Sequence, residues 1–271
     1  MLEEIRSRRI GLHRITLNVR ETGKGAPAIF LHGMMSNAAV WDPIMRRMGA
    51  EFSCVATDQR GHGLSDKPDT GYLARDFAED VTALIEALDA GPAILVGHSL
   101  GARNAVVAAA LDPKLVKSVV AVDYVPYMEG EVLDALEARV CGSDRLYASK
   151  EEIEADIRAR LPKLPDEAIR QRVNTLFGEA DGGLRPLAST QAMVQATQGL
   201  RDDFKPAFQS LACPALVLCG AQSNVVSTRA LEKTRAARPD IRVLVDPDTD
   251  HFVIEEAPDF CVRVIKEFVT G

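Results

Sequence analysis

Four short apolar runs constrain the fold of this chain more than any other feature. They are PAIFLHG (27–33), CVATDQRG (54–61), PAILVGHS (92–99) and VKSVVAVDY (116–124). Each reads as a strand covered on both faces, since such a strand needs no polar alternation. Helical patterns lie between them. In DFAEDVTALIEALDA (76–90), Phe77, Val81, Leu84, Ile85 and Leu88 fall on one face. LGARNAVVAAALDP (100–113) is Ala-rich and stops near a proline. Strands alternating with helices imply a parallel sheet joined by right-handed crossovers. Upstream, RITLNVRETG alternates apolar and polar residues like a half-exposed strand.

From about residue 127 the pattern changes. EVLDALEARV, SKEEIEADIRARLPKL, DEAIRQRVNTLF and ASTQAMVQATQGL are helical, with no strong strand between them. Alternation then resumes with PALVLCG (214–220), TRALEKTRAAR (228–238), IRVLVDP (241–247) and PDFCVRVIKEFV (258–269). The expected organisation is a core of 1–126 and 205–271, interrupted by a helical cap at 127–204. A chain of 271 residues suits one large domain with such an insert.

The formal net charge of −7 argues against a nucleic-acid partner. The charged N-terminus has no apolar signal core, and no run of about 18 apolar residues exists, so no membrane partner and a cytoplasmic location are expected. Five scattered cysteines without a C-x-x-C read as reduced core fillers. No ligand cluster calls for a metal, and no cofactor is expected.

The sharpest chemical signal is LVGHSLGAR. It holds G-x-S-x-G as Gly97-His98-Ser99-Leu100-Gly101, after an apolar strand and at the start of a helix. The glycines allow a sharp turn with close backbone approach. The Ser99 hydroxyl is then presented above the sheet edge at a helix N-terminus, which favours developing negative charge. The bland alternative is a glycine-rich structural turn. Upstream, FLHGMMSNAAVW places a loop at a strand end, where the N–H of Met34 can pair with that of Leu100 as an oxyanion hole. His32 reads as a brace of that loop rather than a base. In DQRGHGLSDKP (58–68), Asp58 and Arg60 read as holding a turn, with His62 in a structural role.

HGMMSNAAVW, DQRGHGLSDKP, GHSLG and DTDHF, in this order, make the chain resemble the α/β-hydrolase superfamily. The resemblance implies an α/β fold with an eight-stranded, mostly parallel sheet, helices on both faces and a cap inserted after the sixth strand. It places the base on a loop after the last strand, where DPDTDHFVIEEAP offers His251. The acid is less obvious. The loop after ALVLCG usually supplies a carboxylate, but here it holds Asn224. An amide can orient an imidazole but cannot stabilise its charge, and Asp-to-Asn in a serine protease triad costs about 10⁴ in turnover. Asp246 and Asp248 read as turn formers. Asp123 ends the neighbouring strand, about 4.8 Å away, within reach of the same ring. The alternative is that Asp123 only caps the start of the insert. The triad is therefore expected as Ser99, His251 and Asp123.

A closer resemblance covers the chain from about residue 8 to its end, cap included. RITLNVRETGKG, DQRGHGLSDKPDTGY, VGHSLGARN, LDALEARV and DGGLRPLAS look like the E-2-(acetamidomethylene)succinate hydrolase family of bacterial vitamin B6 degradation. It implies an acid after the sixth strand, a small dicarboxylate enamide as substrate partner, and acetate, ammonia, carbon dioxide and succinic semialdehyde as products. It also implies carboxylate-binding arginines at Arg139 and Arg160. Most cap arginines otherwise read as solvated and paired with nearby Glu. One departure is Leu161, where the resemblance leads to a Tyr. A general carboxylesterase or thioesterase for a small acidic substrate, and a non-catalytic receptor, stay open. The sequence does not set the oligomeric state, a homodimer being one option.

Overall fold

The computed structural model describes residues 4–271. Eight strands form one twisted sheet: β1 (Arg6–Gly11), β2 (Thr16–Thr22), β3 (Ala26–Leu31), β4 (Phe52–Thr57), β5 (Ala93–His98), β6 (Val116–Val122), β9 (Ala215–Gly220) and β10 (Arg242–Asp246). Their order is β1-β2-β4-β3-β5-β6-β9-β10. Pairing is antiparallel only at β1–β2 and β2–β4, and parallel from β4 through to β10.

The continuous apolar runs of the sequence are explained by burial on both faces. Ile29, Leu31, Leu95, Val119, Ala121 and Val217 point to one side of the sheet. There they meet helices α2 (Ala74–Ala87), α3 (Leu100–Leu111) and α9 (Thr228–Ala237). Phe30, Ile94, Val96, Val120, Leu216 and Leu218 point to the other side. There they pack on α1 (Asp42–Met48), α10 (Val253–Glu256) and α11 (Pro258–Thr270). β1 is exposed on all but one residue, as an edge strand can be. Among the described residues no helix is long and apolar enough to cross a membrane.

Between β6 and β9 the chain builds α4 (Gly130–Cys141), α5 (Lys150–Arg160), α6 (Asp166–Thr175), α7 (Thr190–Gln198) and the short α8 (Lys205–Gln209). Helices α4, α5, α6 and α7 fall where the sequence shows its four helical patterns. The expectation of no strand between them is corrected by a small antiparallel hairpin, β7 (Phe177–Ala180) and β8 (Gly183–Pro186). Its turn runs through Asp181 and Gly182, with Gly182 at φ 83°. Tyr147, Ile153, Ile157, Ile169 and Val173 form a small apolar core of their own within this insert.

The chain leaves β3 toward β4 on one side and returns to β5 on the other. The crevice at such a reversal, beyond the carboxyl ends of the strands, is where open α/β sheets bind ligands. The loops after β3 and β5 open there, and α4, α5 and α6 roof it.

Candidate active site

Ser99 follows β5 directly and is the N-cap of α3, with φ 52° and ψ −114°. A non-glycine residue there is strained, and strain of this kind collects at functional sites. The turn is possible because Gly97 and Gly101 lack side chains. A Cβ on Gly97 would overlap the carbonyl oxygen of Gly101, and one on Gly101 would overlap that of Leu31. The Ser99 N–H bonds to the Val122 carbonyl at 2.9 Å, which ties the turn to β6.

The next residue after β6 is Asp123, also at positive φ (49°) and fully buried. Its Oδ2 lies 2.6 Å from His251 Nδ1. Ser223 Oγ donates to the same oxygen at 2.6 Å, and the Gly220 N–H donates to Oδ1 at 3.2 Å. The Asp123 N–H bonds across to the Leu218 carbonyl at 2.7 Å. Thus the carboxylate stands on β6, reaches over β9, and is held by the loop that carries Asn224. Asn224 makes no hydrogen bond to His251; it stands at the rim of a small chamber beside Ser99.

Three further histidines hold the surrounding loops. His98 Nε2 lies 2.8 Å from the backbone oxygen of His251, which fixes the loop bearing that ring. Burial first, then the neighbouring His251, hold His98 well below the usual histidine range, so it serves as a neutral donor. His32 Nε2 accepts from the Gln59 N–H at 3.0 Å, and its Nδ1 contacts the Gly33 carbonyl at 2.7 Å. His62 Nε2 accepts from the Met35 N–H at 3.3 Å. Burial pushes His32 down to about 4; burial and then His32 push His62 down to about 3. Both are therefore neutral braces of the Gly33–Ser36 loop. Asp58 accepts from Ala38 N–H and Leu64 N–H at 2.7 and 2.8 Å, and Arg60 clasps Asp80 in a two-pronged pair. These motif residues shape the turn, as their sequence pattern suggests. Met34 lines the site, and Leu100 opens α3 beside the serine. Neither contributes its N–H to the hydrogen bonds among described residues.

Ser99, His251 and Met34 line a cavity of about 510 Å³ under the insert. Arg139 of α4, Arg160 of α5 and Arg172 of α6 stand on its walls, with Arg145. Their partners differ. Arg160 is tied to Asp156 through Nε and Nη2 at 3.0 and 2.6 Å. Arg172 makes a two-pronged pair with Glu255 at 2.7 and 2.5 Å and lies over the Phe252 ring. Arg145 binds Glu152 and Asp156. Arg139 alone of these has no ion-pair partner among described residues. Burial, then the charges of Arg160 and Arg172, lower its pKa, so an anion in the cavity would relieve it. Leu161 lines the cavity as an apolar wall where a Tyr was expected.

Sequence reasoning passed over Ser223, His98 and Glu255. Ser223 sits next to the Asn that drew attention, and a hydroxyl in that loop was the available signal. Glu255 stands in DHFVIEEAP, four residues past His251 and inside the short α10.

Comparison with known proteins shows the family. Residues 28–264 match the model of the Alpha/beta hydrolase family. The chain is 51% identical over 263 residues to the 2-(acetamidomethylene)succinate hydrolase of Mesorhizobium japonicum, covering 97% of this chain and 95% of that one. It is 28% identical over 252 residues to an N-formylmaleamate deformylase of Pseudomonas putida, covering 87% of this chain and 85% of that one. A crystal structure of E-2-(acetamidomethylene)succinate hydrolase superposes with a TM-score of 0.97 at 50% identity, over 99% of this chain and 100% of that one. The thioesterase domain from the curacin biosynthetic pathway shares the fold at a TM-score of 0.83 and 18% identity, over 97% of this chain and 99% of that one. By its matched span, its relatives and its sheet, the chain belongs to the α/β-hydrolase family.

Proposed function

We propose that this protein is a serine hydrolase that cleaves the acetamide bond of E-2-(acetamidomethylene)succinate or a close dicarboxylate enamide, with Ser99, His251 and Asp123 as its triad. The observation that carries the substrate class is Arg139, a guanidinium without a carboxylate partner in the cavity that holds Ser99 and His251. A relative at 51% identity named for that activity supports the same reading.

The steps build on the Asp123–His251 hydrogen bond and on the cavity that Ser99 and His251 share. Asp123 at 2.6 Å from Nδ1 fixes the tautomer that leaves Nε2 free to take the Ser99 proton. Ser99 Oγ bonds to the acetyl carbon, and the oxyanion rests on the N–H groups of Met34 and Leu100. The C–N bond breaks as the nitrogen takes the proton from His251. Water, deprotonated by His251, then releases acetate and restores Ser99. The freed aminomethylene diacid takes a second water and loses ammonia. The resulting carboxylate, β to an aldehyde, leaves as carbon dioxide and succinic semialdehyde remains.

Arg139 and Arg160 bind the two carboxylates, the geometry to which a guanidinium fork is suited. Arg160 brings less free charge, because Asp156 already holds it. The 127–204 insert acts as the cap that carries these arginines over the core's nucleophile.

The test offers the protein the acetamidomethylene diacid and p-nitrophenyl acetate in parallel. Acetate release from the diacid, far outpacing ester cleavage, is expected. Rapid ester cleavage with no diacid turnover would assign a general esterase instead. Stoichiometric binding of the diacid without turnover would make the protein a receptor.

A further inference from the structure

The space around Ser99 is not one chamber but two. Beside the large cavity lies a small one of about 80 Å³, bounded by Met128, Val132, Ala135, Leu200 and Tyr124, with Asn224 at its rim. Ser99 and His251 line both. So do Leu136 and Arg139. Residues 132, 135, 136 and 139 are spaced i, i+3, i+4 and i+7, so they form one stripe of α4. That stripe faces the nucleophile, and its Leu136–Arg139 end is the partition between the chambers.

The two sides differ in chemistry. The large side carries four arginines and two carboxylates. The small side is bounded by Met, Val, Ala and Leu side chains together with Tyr124 and Asn224, and has no cation except Arg139 at the partition. A scissile bond at Ser99 therefore has a half-site lined with charges and a small, mostly uncharged half-site.

We infer that the small chamber is the acyl subsite, that it accepts unbranched acyl groups of two or three carbons, and that Met128, Val132 and Leu200 set that limit. This rests on the hydrolase reading above and extends it to the other half of the substrate. The volume sets the length. A water takes up about 30 Å³, so the chamber admits about two or three heavy atoms, counted from the reacting carbonyl carbon. The dicarboxylate half needs the arginines and far more room, so it occupies the large side. Arg139, at the partition, then grips a carboxylate close to the bond that breaks.

The test is a series of p-nitrophenyl esters, from acetate through propionate and butyrate to hexanoate. These carry no carboxylate, so the series reads the small chamber whether or not the diacid is the substrate. In the wild-type protein kcat/KM should fall steeply beyond propionate, by about 10- to 200-fold per unaccommodated methylene. Met128→Ala should raise the butyrate-to-acetate ratio of kcat/KM by about tenfold or more. Val132→Phe should lower the propionate-to-acetate ratio. Leu161→Ala, which opens only the large cavity, should move neither ratio. Circular dichroism checks that each variant is folded, and the opposite directions of the two small-chamber variants separate fit from damage. Ratios unmoved by Met128→Ala and Val132→Phe, ratios moved as far by Leu161→Ala, or no ester turnover at all would overturn the assignment. Turnover of the diacid with unmoved ratios defeats the acyl subsite alone. Shifted ratios without diacid turnover defeat the dicarboxylate reading alone.

Discussion

Asn224 occupies the loop position from which an acid would serve in many relatives of this fold, and the structure gives that loop a different duty. Its neighbour Ser223 donates to Asp123 Oδ2, the oxygen that also meets His251. A donor on that oxygen holds the carboxylate's orientation but also draws on its basicity. Ser223→Ala should therefore lower kcat modestly, by about tenfold or less, with little change in KM. A loss as large as that of an Asp123 substitution would mean that the ring's orientation depends on Ser223 as much as on Asp123. This relay was not legible in sequence, because a serine in a polar loop carries no pattern. Asp123 was legible, because it ends an apolar strand next to the strand that lacks an acid. At the same scale, Arg139→Ala should raise KM for the diacid about tenfold or more and leave KM for a neutral ester nearly unchanged, since a charged hydrogen bond is worth roughly 1.5–3 kcal/mol. Arg160→Ala should do less, because Asp156 already neutralises that guanidinium. Equal effects on charged and neutral substrates would count against both assignments.

Among the elements, the strands of the core were the most legible, and for a physical reason. A strand buried on both faces must be apolar throughout, so β3, β5, β6 and β9 advertise themselves, whereas β1 is a charged edge strand. The hairpin β7–β8 escaped because its strands are four residues long and only half-buried, so neither alternates strongly. Its Asp-Gly turn was the available clue. Helix α6 is tied to the core through three of its residues. Arg172 pairs with Glu255 of α10, Asn37 donates to the Thr175 carbonyl at 2.6 Å, and Gln171 bonds to the Ala39 carbonyl. The Arg172 and Glu255 side chains are 14% and 4% exposed, so stripping one partner leaves a charge in a poor solvent. Arg172→Met should cost about 3–5 kcal/mol in chemical denaturation. The double variant Arg172→Met/Glu255→Gln should recover a large part of that loss. A double variant as unstable as the single one would show that the cost lies in packing over Phe252, not in the unpaired carboxylate.

For the whole molecule, the buried histidines set an acid limit on stability. Unfolded histidine titrates near about 6.5, while His32 and His62 are held at about 4 and about 3 in the fold. The unfolded chain thus binds more protons over that window. Stability from the neutral rings is complete above about pH 6.5 and drains away as pH falls toward 4, by up to about 1.4 kcal/mol per pH unit for each ring. Glu256 runs the other way: burial and Asp250 push it up to about 7, so its contribution is present at low pH and lost as pH rises to 7. With three deeply buried rings, His98 among them, against the raised carboxyls of Glu256 and Asp80, Tm should fall between pH 6.5 and 4. His32→Gln should flatten that fall; curves that stay parallel to the wild type would assign the acid loss elsewhere. Which residue serves as the acid beside His251 is decided by kcat for acetate release from the acetamidomethylene diacid, compared among the wild type, Asp123→Asn and Asn224→Ala. The structure leads us to expect a loss of about 10⁴ in kcat for Asp123→Asn and less than a few-fold for Asn224→Ala. Near-normal turnover by Asp123→Asn, or a collapse on Asn224→Ala, would mean that Asp123 is not the acid.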